Sequence, residues 1–492
     1  MKARTMDGAE IDLPKDVVTS WRGRLRGPLL APDDPGYEDS RTVWNAMIDR
    51  RPAMGARCLG AADVIECVRF AREHNLLLCV KGGGHNIAGL AVADGALMLD
   101  MSLMRGVWVD PHRRVAHAQA GCVLGDVDRE TQLHGLAAVL GFISLTGVAG
   151  LTLGGGIGYL TRRWGWTSDN ILGMDVVTAD ARLVRASSDE NADLFWGLRG
   201  GGGNFGVVAG IDYVLHRVGP DMVGGVVAWP ASEAPRVLEL YRTLAEKAPP
   251  ELTLVALMRP APAAPWLPKE WHGTPIVAML ACHTGNPDEA EKAVAPIKSF
   301  GKPIGDILMR RPYVQMQSLL DATQPKGRRY YWKSEYLPRI EPALCEKVIE
   351  HAANIRSPHS AVILFQLGGA LNELGEDHSP AGNRDARYLL NITSAWERPD
   401  DDTANIEWTR HAWHDMKCFS TGGTYINFLT EDDGAERTEA ALGGALQRLT
   451  QVKARWDPQN VFRTNRNITP AGTGSLPAEQ RPRNRRTSPL GG

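Results

Sequence analysis

Residues Val80 to Gly89 read VKGGGHNIAG: three glycines in succession, then a histidine and an asparagine. Three residues without side chains leave main-chain N–H groups bare, and they permit left-handed backbone or close approach by another group. The apolar run LLLCV (76–80) leading into the glycines predicts a buried strand. Before it, AADVIECVRFAREHN (61–75) carries Val64, Ile65, Val68 and Ala71 at helical spacing, with Asp63 early and Arg72 late, and predicts an amphipathic helix. Helix, strand, glycine loop is not the order of a dinucleotide-binding βαβ unit, where the glycines lie between a strand and the helix that follows. At this stage His85 could be a base, a metal ligand, an attachment point or an ordinary loop residue.

Two more glycine clusters follow, TGVAGLTLGGGIGYL (146–160) and LRGGGGNFG (198–206). Three such loops at strand ends predict backbone wrapped around a long phosphate-bearing ligand, because successive free N–H groups form anion nests. The usual phosphate motif is absent: Gly301-Lys302, the sole Gly-Lys pair, is followed by Pro303. Between the clusters, LMLDMS (97–102) and RVAHAQAG (114–121) predict strands. VLGDVDRETQLHG (123–135) predicts a helix stopped by Gly135, and MDVVTADARLVRAS (174–187) a hairpin turning at ADA. ADLFWGLRGGGGNFGVVAGIDYVLH (192–216) predicts a helical turn, a glycine loop and a long strand.

After Arg217 the glycine-rich loops cease. GGVVAWP, LTLVALMR, IVAMLACH, AVILFQLGGA and YLLNITSAW alternate with amphipathic stretches such as SEAPRVLELYRTLAEKA. The fold class is α+β, a glycine-rich domain interrupted by an inserted antiparallel sheet backed by helices. The boundaries are 1–217 for the first domain, 218–415 for the insert and 416–470 for the return. AALGGALQRLTQVKARW (440–456) reads as one helix near the end of that return. A tail, 471–492, is rich in Pro, Gly and Arg and is expected to be disordered.

Composition narrows the function classes. The 492 residues carry 55 basic and 57 acidic side chains, a formal charge of −2, which argues against nucleic acid or an anionic membrane as partner. No 18-residue apolar run occurs, and the acidic N-terminus lacks a signal-peptide core. Seven cysteines without a CxxC pair suit a reducing compartment, so a cytoplasmic location is expected. HAWHD (411–415) could hold a metal, but helix-surface polarity explains it, and no metal is expected. Neither GxSxG nor HExxH occurs. Nothing in the sequence sets an oligomeric state.

The chain resembles the berberine-bridge-enzyme-like branch of the vanillyl-alcohol oxidase (PCMH-type FAD-binding) superfamily from about Pro35 to Pro470. The anchors are VKGGGHN (80–86), TGVAGLTLGGGIG (146–158), DNI (169–171), DLFWGLRGGGGNFGVV (193–208), YINF (425–428) and DPQNVF (457–462). The resemblance implies a two-domain FAD enzyme with His85 bonded covalently to the flavin. It also implies cofactor contacts from Lys81, Gly82, Gly83, Gly84 and Asn86, from Thr146, Gly147, Gly150, Gly154, Gly155 and Gly158, from Asn204, Gly206 and Val208, and from Tyr425 and Asn427. The implied reaction is hydride removal from an alcohol or amine carbon of a small molecule, with O2 as acceptor and hydrogen peroxide as product.

Three departures refine that expectation. Ile143 stands where many members carry a second flavin-linked cysteine, so attachment through His85 alone is expected. Thr146 is small where bulk suppresses the reaction with oxygen, which favours an oxidase. Phe428 ends YINF where many members have a catalytic tyrosine, so the base must lie elsewhere. In GRRYYWKSEYL (327–337), Tyr331, Lys333 and Glu335 share one face of a strand and Tyr330, Trp332 and Ser334 the other. Tyr331, Lys333 and Tyr425 are the candidate bases, with Lys333 or Arg329 as the cation a tyrosine base would need. A flavin dehydrogenase with another acceptor, or a catalytically silent FAD protein, are the alternatives.

Overall fold

Three main sheets carry the chain in this computed structural model, which describes residues 1–472. The tail expected to be disordered lies, from 473 onward, outside the described residues. The first sheet runs Leu29–Leu30, Met54–Arg57, Leu97–Asp100, Leu78–Lys81, its last three strands parallel. The Ala61–Glu73 helix covers it with Val64, Val68 and Ala71 of the stripe expected from helical spacing, joined by Cys67, while Ile65 is only partly buried. Its Asp63 does more than complement the helix dipole: the buried carboxylate accepts N–H bonds from Arg26, Gly27 and Leu59.

A second sheet, antiparallel, runs Leu183–Ser187, Ile171–Val177, Val207–Arg217, Val115–Gln119, Val107–Asp110, with Leu136–Ala138 paired to the far end of Val207–Arg217. The hairpin between Ile171–Val177 and Leu183–Ser187 turns where expected, with Ala181 at φ 60°. All three glycine clusters fall in the loops around these two sheets.

The chain leaves the second sheet at Arg217 and enters the third at Asp221. The third sheet has eight antiparallel strands, in the order Gly305–Asp306, Asp221–Pro230, Pro275–His283, Leu252–Pro260, Ala361–Gln366, Tyr388–Trp396, Arg329–Leu337, with Met309–Pro312 also paired to Asp221–Pro230. One face packs Trp229, Leu254, Met279, Leu364 and Leu390 against the helices Ala234–Lys247, Pro287–Lys298, Pro342–Ala352 and Asp402–Met416. Much of the other face packs Val226, Ala278, Leu280, Phe365 and Leu389 against Tyr159, Trp166 and Tyr425 of the glycine-rich part. With both faces covered, its strands read as nearly unbroken apolar runs rather than alternating ones.

The return segment corrects one expectation. Residues 440–456 are not one helix: Ala435–Leu442 stops at Gly443, whose φ of 55° suits glycine, and Leu446–Trp456 starts anew. In that second helix Lys453 is fully buried, donating to Asp457 Oδ2 (2.7 Å), Asn204 O (2.7 Å) and Phe462 O (2.9 Å). Asp457 in turn accepts from the backbone N–H groups of Val461 and Phe462. This is the physical content of DPQNVF: a buried ion pair fastens the turn that sends Phe462–Arg466 back toward the glycine loops.

Candidate active site

Val80–Lys81 ends a strand of the first sheet, and the glycines carry the chain across to the second glycine cluster. Gly83 lies against Gly147 so closely that a Cβ on either would sit 2.5 Å from backbone of the other. Two loops can touch main chain to main chain only where neither has a side chain. Behind them opens a cavity of about 410 Å³, lined by all three glycine clusters, the return segment and one face of the eight-stranded sheet. Among the described residues no Asp or Glu lines it.

The aromatic Trp44 binds this cradle to the sheet. Its ring stacks on Tyr330 (centroids 3.6 Å, planes 13° apart) and on His85 (5.3 Å, 17°). The adjoining Asn45 donates to Ile87 O (2.9 Å) and Tyr330 O (3.0 Å) and accepts from Tyr330 N (3.0 Å). His85 lines the cavity, and burial pushes its imidazole down to about 4, so it is neutral at physiological pH. Asn86 folds the loop by accepting from Ala88 N and Leu90 N.

Most of the expected cofactor residues meet at the cavity wall: Gly82, Gly83, Gly84, His85, Asn86, Thr146, Gly147, Gly150, Gly154, Asn204, Gly206, Val208, Tyr425 and Asn427. Three do not. The Lys81 side chain turns away to Ser40 O and lies 3.7 Å from Asp100, its register partner on the neighbouring strand, and burial lowers its pKa. Gly155 packs on Ala381, and a Cβ at Gly158 would collide with the Leu140 carbonyl. These glycines serve protein packing.

Of the three candidate bases, two are displaced altogether. Tyr331 and Lys333 point to the face opposite the cavity. Tyr331 Oη donates to Asp432 Oδ2 (2.6 Å) and accepts from Arg410 Nε (2.9 Å). Lys333 Nζ donates to Asp433 Oδ1 (2.7 Å), Asp432 Oδ1 (3.1 Å) and Thr430 Oγ1 (3.1 Å). Glu335 continues the network to Arg437 (2.8 Å) and Trp413 Nε1 (2.6 Å). These charges fasten the return segment to the sheet. Arg329 is likewise spent, on Asp402 (2.5 Å).

Tyr425 does line the cavity, 4.9 Å from Phe428 ring to ring. Its hydroxyl accepts from Asn427 Nδ2 (2.9 Å) and Gly156 N (3.1 Å), and burial pushes it up to about 12. At neutral pH it keeps its proton. The sheet instead turns Trp332, Asn391, Thr393, Ile363 and Leu257 toward the cavity, with Arg259 and His359 also lining it. Sequence reasoning passed over these, as it did Phe462, Thr464, Asn465 and Arg466 from the return segment. Asn391, within the strand YLLNITSAW, is a buried wall residue.

Other motifs settle into structural work. Asp169 of DNI takes a two-pronged bond from buried Arg384 (2.7 and 2.9 Å). Arg162 donates to Leu252 O (2.8 Å), Ala248 O (3.0 Å) and Leu367 O, joining the two parts of the chain. In HAWHD it is His411 and Asp415, not His414, that come together with a further histidine, His351, whose Nε2 lies 3.1 Å from Asp415.

FAD fits the wall as built. Gly150 and Gly203 line the cavity, and a Cβ on either would project into open space. Bare amides, apolar walls and a neutral imidazole make a donor set suited to a diphosphate with a flat ring system. Comparison with known proteins agrees. Residues 52–187 match the family of FAD binding domains, and residues 424–469 the berberine and berberine-like family. The chain is 31% identical over 464 residues to an FAD-linked oxidoreductase of Dictyostelium discoideum, covering 92% of this chain and 97% of that protein. It is 30% identical over 457 residues to (R)-6-hydroxynicotine oxidase of Paenarthrobacter nicotinovorans, covering 91% and 98%. The crystal structure of 6-hydroxy-D-nicotine oxidase from Arthrobacter nicotinovorans superposes with a TM-score of 0.79 at 28% identity, over 90% of this chain and 98% of that one. Physcomitrella patens BBE-like 1, 20% identical, shares the fold with a TM-score of 0.81 over 92% of this chain and 99% of that one. With its glycine cradle, its apolar wall and these likenesses along nearly its whole length, this chain belongs to the FAD-linked oxidoreductases of the berberine-bridge-like family.

Proposed function

We propose that this FAD-linked oxidoreductase is an oxidase whose flavin is bonded to His85 alone, and that it oxidises an alcohol or amine carbon of a small molecule. The observation that carries the reading is the state of His85. It is a neutral imidazole at the cavity wall, steadied by Trp44, and a ring nitrogen with an available lone pair is what bonding to a flavin requires. Ile143 lines the same cavity and has no thiol to make a second link. The chemistry a bound flavin supplies is two-electron oxidation: a hydride leaves a substrate C–H bond, and O2 takes the electrons to give hydrogen peroxide.

The protein's own part is positioning. Gly82–Gly84 and Asn204–Gly206 would present main-chain N–H groups to the diphosphate, and Trp332, Phe428 and Phe365 would exclude water around the reacting carbon. Thr146, which lines the cavity, is small where bulk in the family suppresses reaction with O2, and this supports an oxidase over a dehydrogenase. His359 is the one lining imidazole besides His85 among the described residues, and burial lowers its pKa. It can accept a proton at neutral pH; an amine substrate, already carrying a lone pair when neutral, would need no base. The division into a FAD-binding part (1–217 with 416–470) and a substrate-binding part (218–415) belongs to this reading. So does a cytoplasmic setting, which the seven unpaired cysteines favour.

The test begins with acid precipitation of purified protein. Yellow colour should stay with the polypeptide, and it should move to the supernatant for His85→Ala. Colour retained covalently by that variant would refute the attachment. Rapid mixing of the reduced protein with aerated buffer then checks the acceptor: reoxidation should be fast and yield hydrogen peroxide.

A further inference from the structure

The sheet side of the cavity carries polar groups that the protein itself leaves unanswered. Asn391 Oδ1, Thr393 Oγ1 and Trp332 Nε1 are buried with no hydrogen-bond partner among the described residues. Asn391 and Thr393 are two apart on one strand, so they share a face, and Trp332 stands directly opposite Thr393 on the next. Buried donors and acceptors in folded proteins are almost always met, so three in one wall point to a ligand that meets them.

The charge in the same wall is unanswered too. Arg259 donates Nε to Pro260 O (3.1 Å) and Nη2 to Pro358 O (3.3 Å), and no carboxylate lies within 4.0 Å among the described residues. Its surroundings add positive charge rather than cancel it. Burial, and then the charge of nearby Arg328, lower the Arg259 pKa to about 10, which leaves the guanidinium charged at neutral pH. Burial, then Arg328 and more weakly Arg259, lower the pKa of His359 against the opposing pull of Glu397, exposed and 3.3 Å from His359, the one acid paired there among the described residues. A half-buried guanidinium facing a cavity without a counter-charge is a poor structural element and a good anion receptor. The remaining wall is flat and aromatic: Trp332 meets Phe428 edge-on at 5.0 Å, and Phe142 lies 5.0 Å from Phe365. Two strand-to-strand steps, about 10 Å, separate the Arg259 strand from that of Thr393. That distance seats a ring at one end and a charged substituent at the other.

We propose that Arg259 is the anion-binding end of the substrate cavity, and that the substrate is a planar aromatic or heteroaromatic molecule bearing a carboxylate or comparable negative group. The fork of a guanidinium matches a carboxylate with two parallel bonds, while Asn391 and Thr393 meet polar substituents nearer the ring. This inference rests on the oxidase reading of the same cavity.

Benzoate and its neutral isostere benzamide are the probes. Holoprotein is titrated with each, by calorimetry and by the change in flavin absorbance. Benzoate should bind at least tenfold more tightly than benzamide. That preference should vanish in Arg259→Gln and partly return in Arg259→Lys, with melting temperature and flavin content unchanged in both. Equal binding of the two probes, binding of neither, or a preference that survives Arg259→Gln would overturn the proposal. Flavin lost from Arg259→Gln would overturn it as well, by assigning the residue to the cofactor. The oxidase reading fails separately, through absent flavin or absent reoxidation, and calorimetry reads the charge preference in either case.

Discussion

Lys333 distinguishes a catalytic reading of the Arg329–Leu337 strand from a structural one. Its side chain is 5% exposed and its ammonium touches Asp433, Asp432 and Thr430 at 2.7, 3.1 and 3.1 Å. Lys333→Met keeps the stem and removes the charge, leaving the Asp433 carboxylate buried, with Arg437 Nε no nearer than 3.9 Å. Breaking a buried ion pair from one side costs about 3–5 kcal/mol. Thr430 still donates twice to Asp433, through its N–H and its hydroxyl at 2.8 Å each, which places the expected loss near the lower end, about 3 kcal/mol. For a cooperative unit of 150–250 residues that is a fall in melting temperature of about 6–12 °C. Melting is followed by circular dichroism, and flavin reduction is measured per bound flavin well below both midpoints. The reduction rate should stay within about tenfold, because the ammonium points away from the cavity. Adding Asp433→Asn should recover much of the lost stability, since removing both charges is far cheaper than removing one. An unmoved midpoint combined with a thousandfold slower reduction would refute the structural account and return Lys333 to the chemistry.

Two further outcomes follow from the cavity wall. In protein produced without flavin, whose His85 is unmodified, burial holds the folded imidazole down to about 4 against about 6.5 when unfolded, so the unfolded chain binds the proton first as pH falls. The stability that neutral His85 contributes is complete above pH 6.5 and declines toward pH 4. Denaturant titrations of flavin-free protein should therefore lose stability across that window, and His85→Ala should flatten the slope by up to about 1.4 kcal/mol per pH unit. An identical slope in the variant would disprove the buried neutral imidazole. Gly150→Leu places a side chain in open cavity space inside the Val148–Leu153 helix, where glycine is about 1 kcal/mol worse than a good helix former. The flavin-free fold should keep or gain stability while flavin content falls severalfold; full flavin content would show that the cradle lies elsewhere.

Much of the cradle was legible because its requirements are local. A loop that must touch another loop main chain to main chain, as Gly83 touches Gly147, announces itself as glycine wherever it lies. The same is true of the turn built by Asp457, whose side chain caps its own following backbone. Lys81 misled because it adjoins the glycines in sequence, while the pairing of Leu78–Lys81 with Leu97–Asp100 gives it Asp100 instead. The strand Arg329–Leu337 misled for a different reason. Period two sorts its side chains into two sets, but both faces are covered, so no contrast between wet and dry marks the one that meets substrate. The set with the charges looks like chemistry, which is why Tyr331 and Lys333 read as candidate bases in the sequence. Their partners, Asp432 and Asp433, lie about a hundred residues further along.

The sequence by itself determined a glycine cradle for a phosphate-bearing ligand and an inserted antiparallel sheet, because both are written in short-range patterns of backbone freedom and apolar spacing; FAD and the place of His85 came from the family resemblance. Tertiary structure alone decided which face of that sheet looks inward, and so put Trp332, Asn391, Thr393 and Arg259 at the cavity and left Tyr331 and Lys333 outside it. The physical reason is that charges far apart in sequence meet only through the fold, which brings Asp432 and Asp433 to one face while leaving Arg259, among the described residues, without an acid on the other.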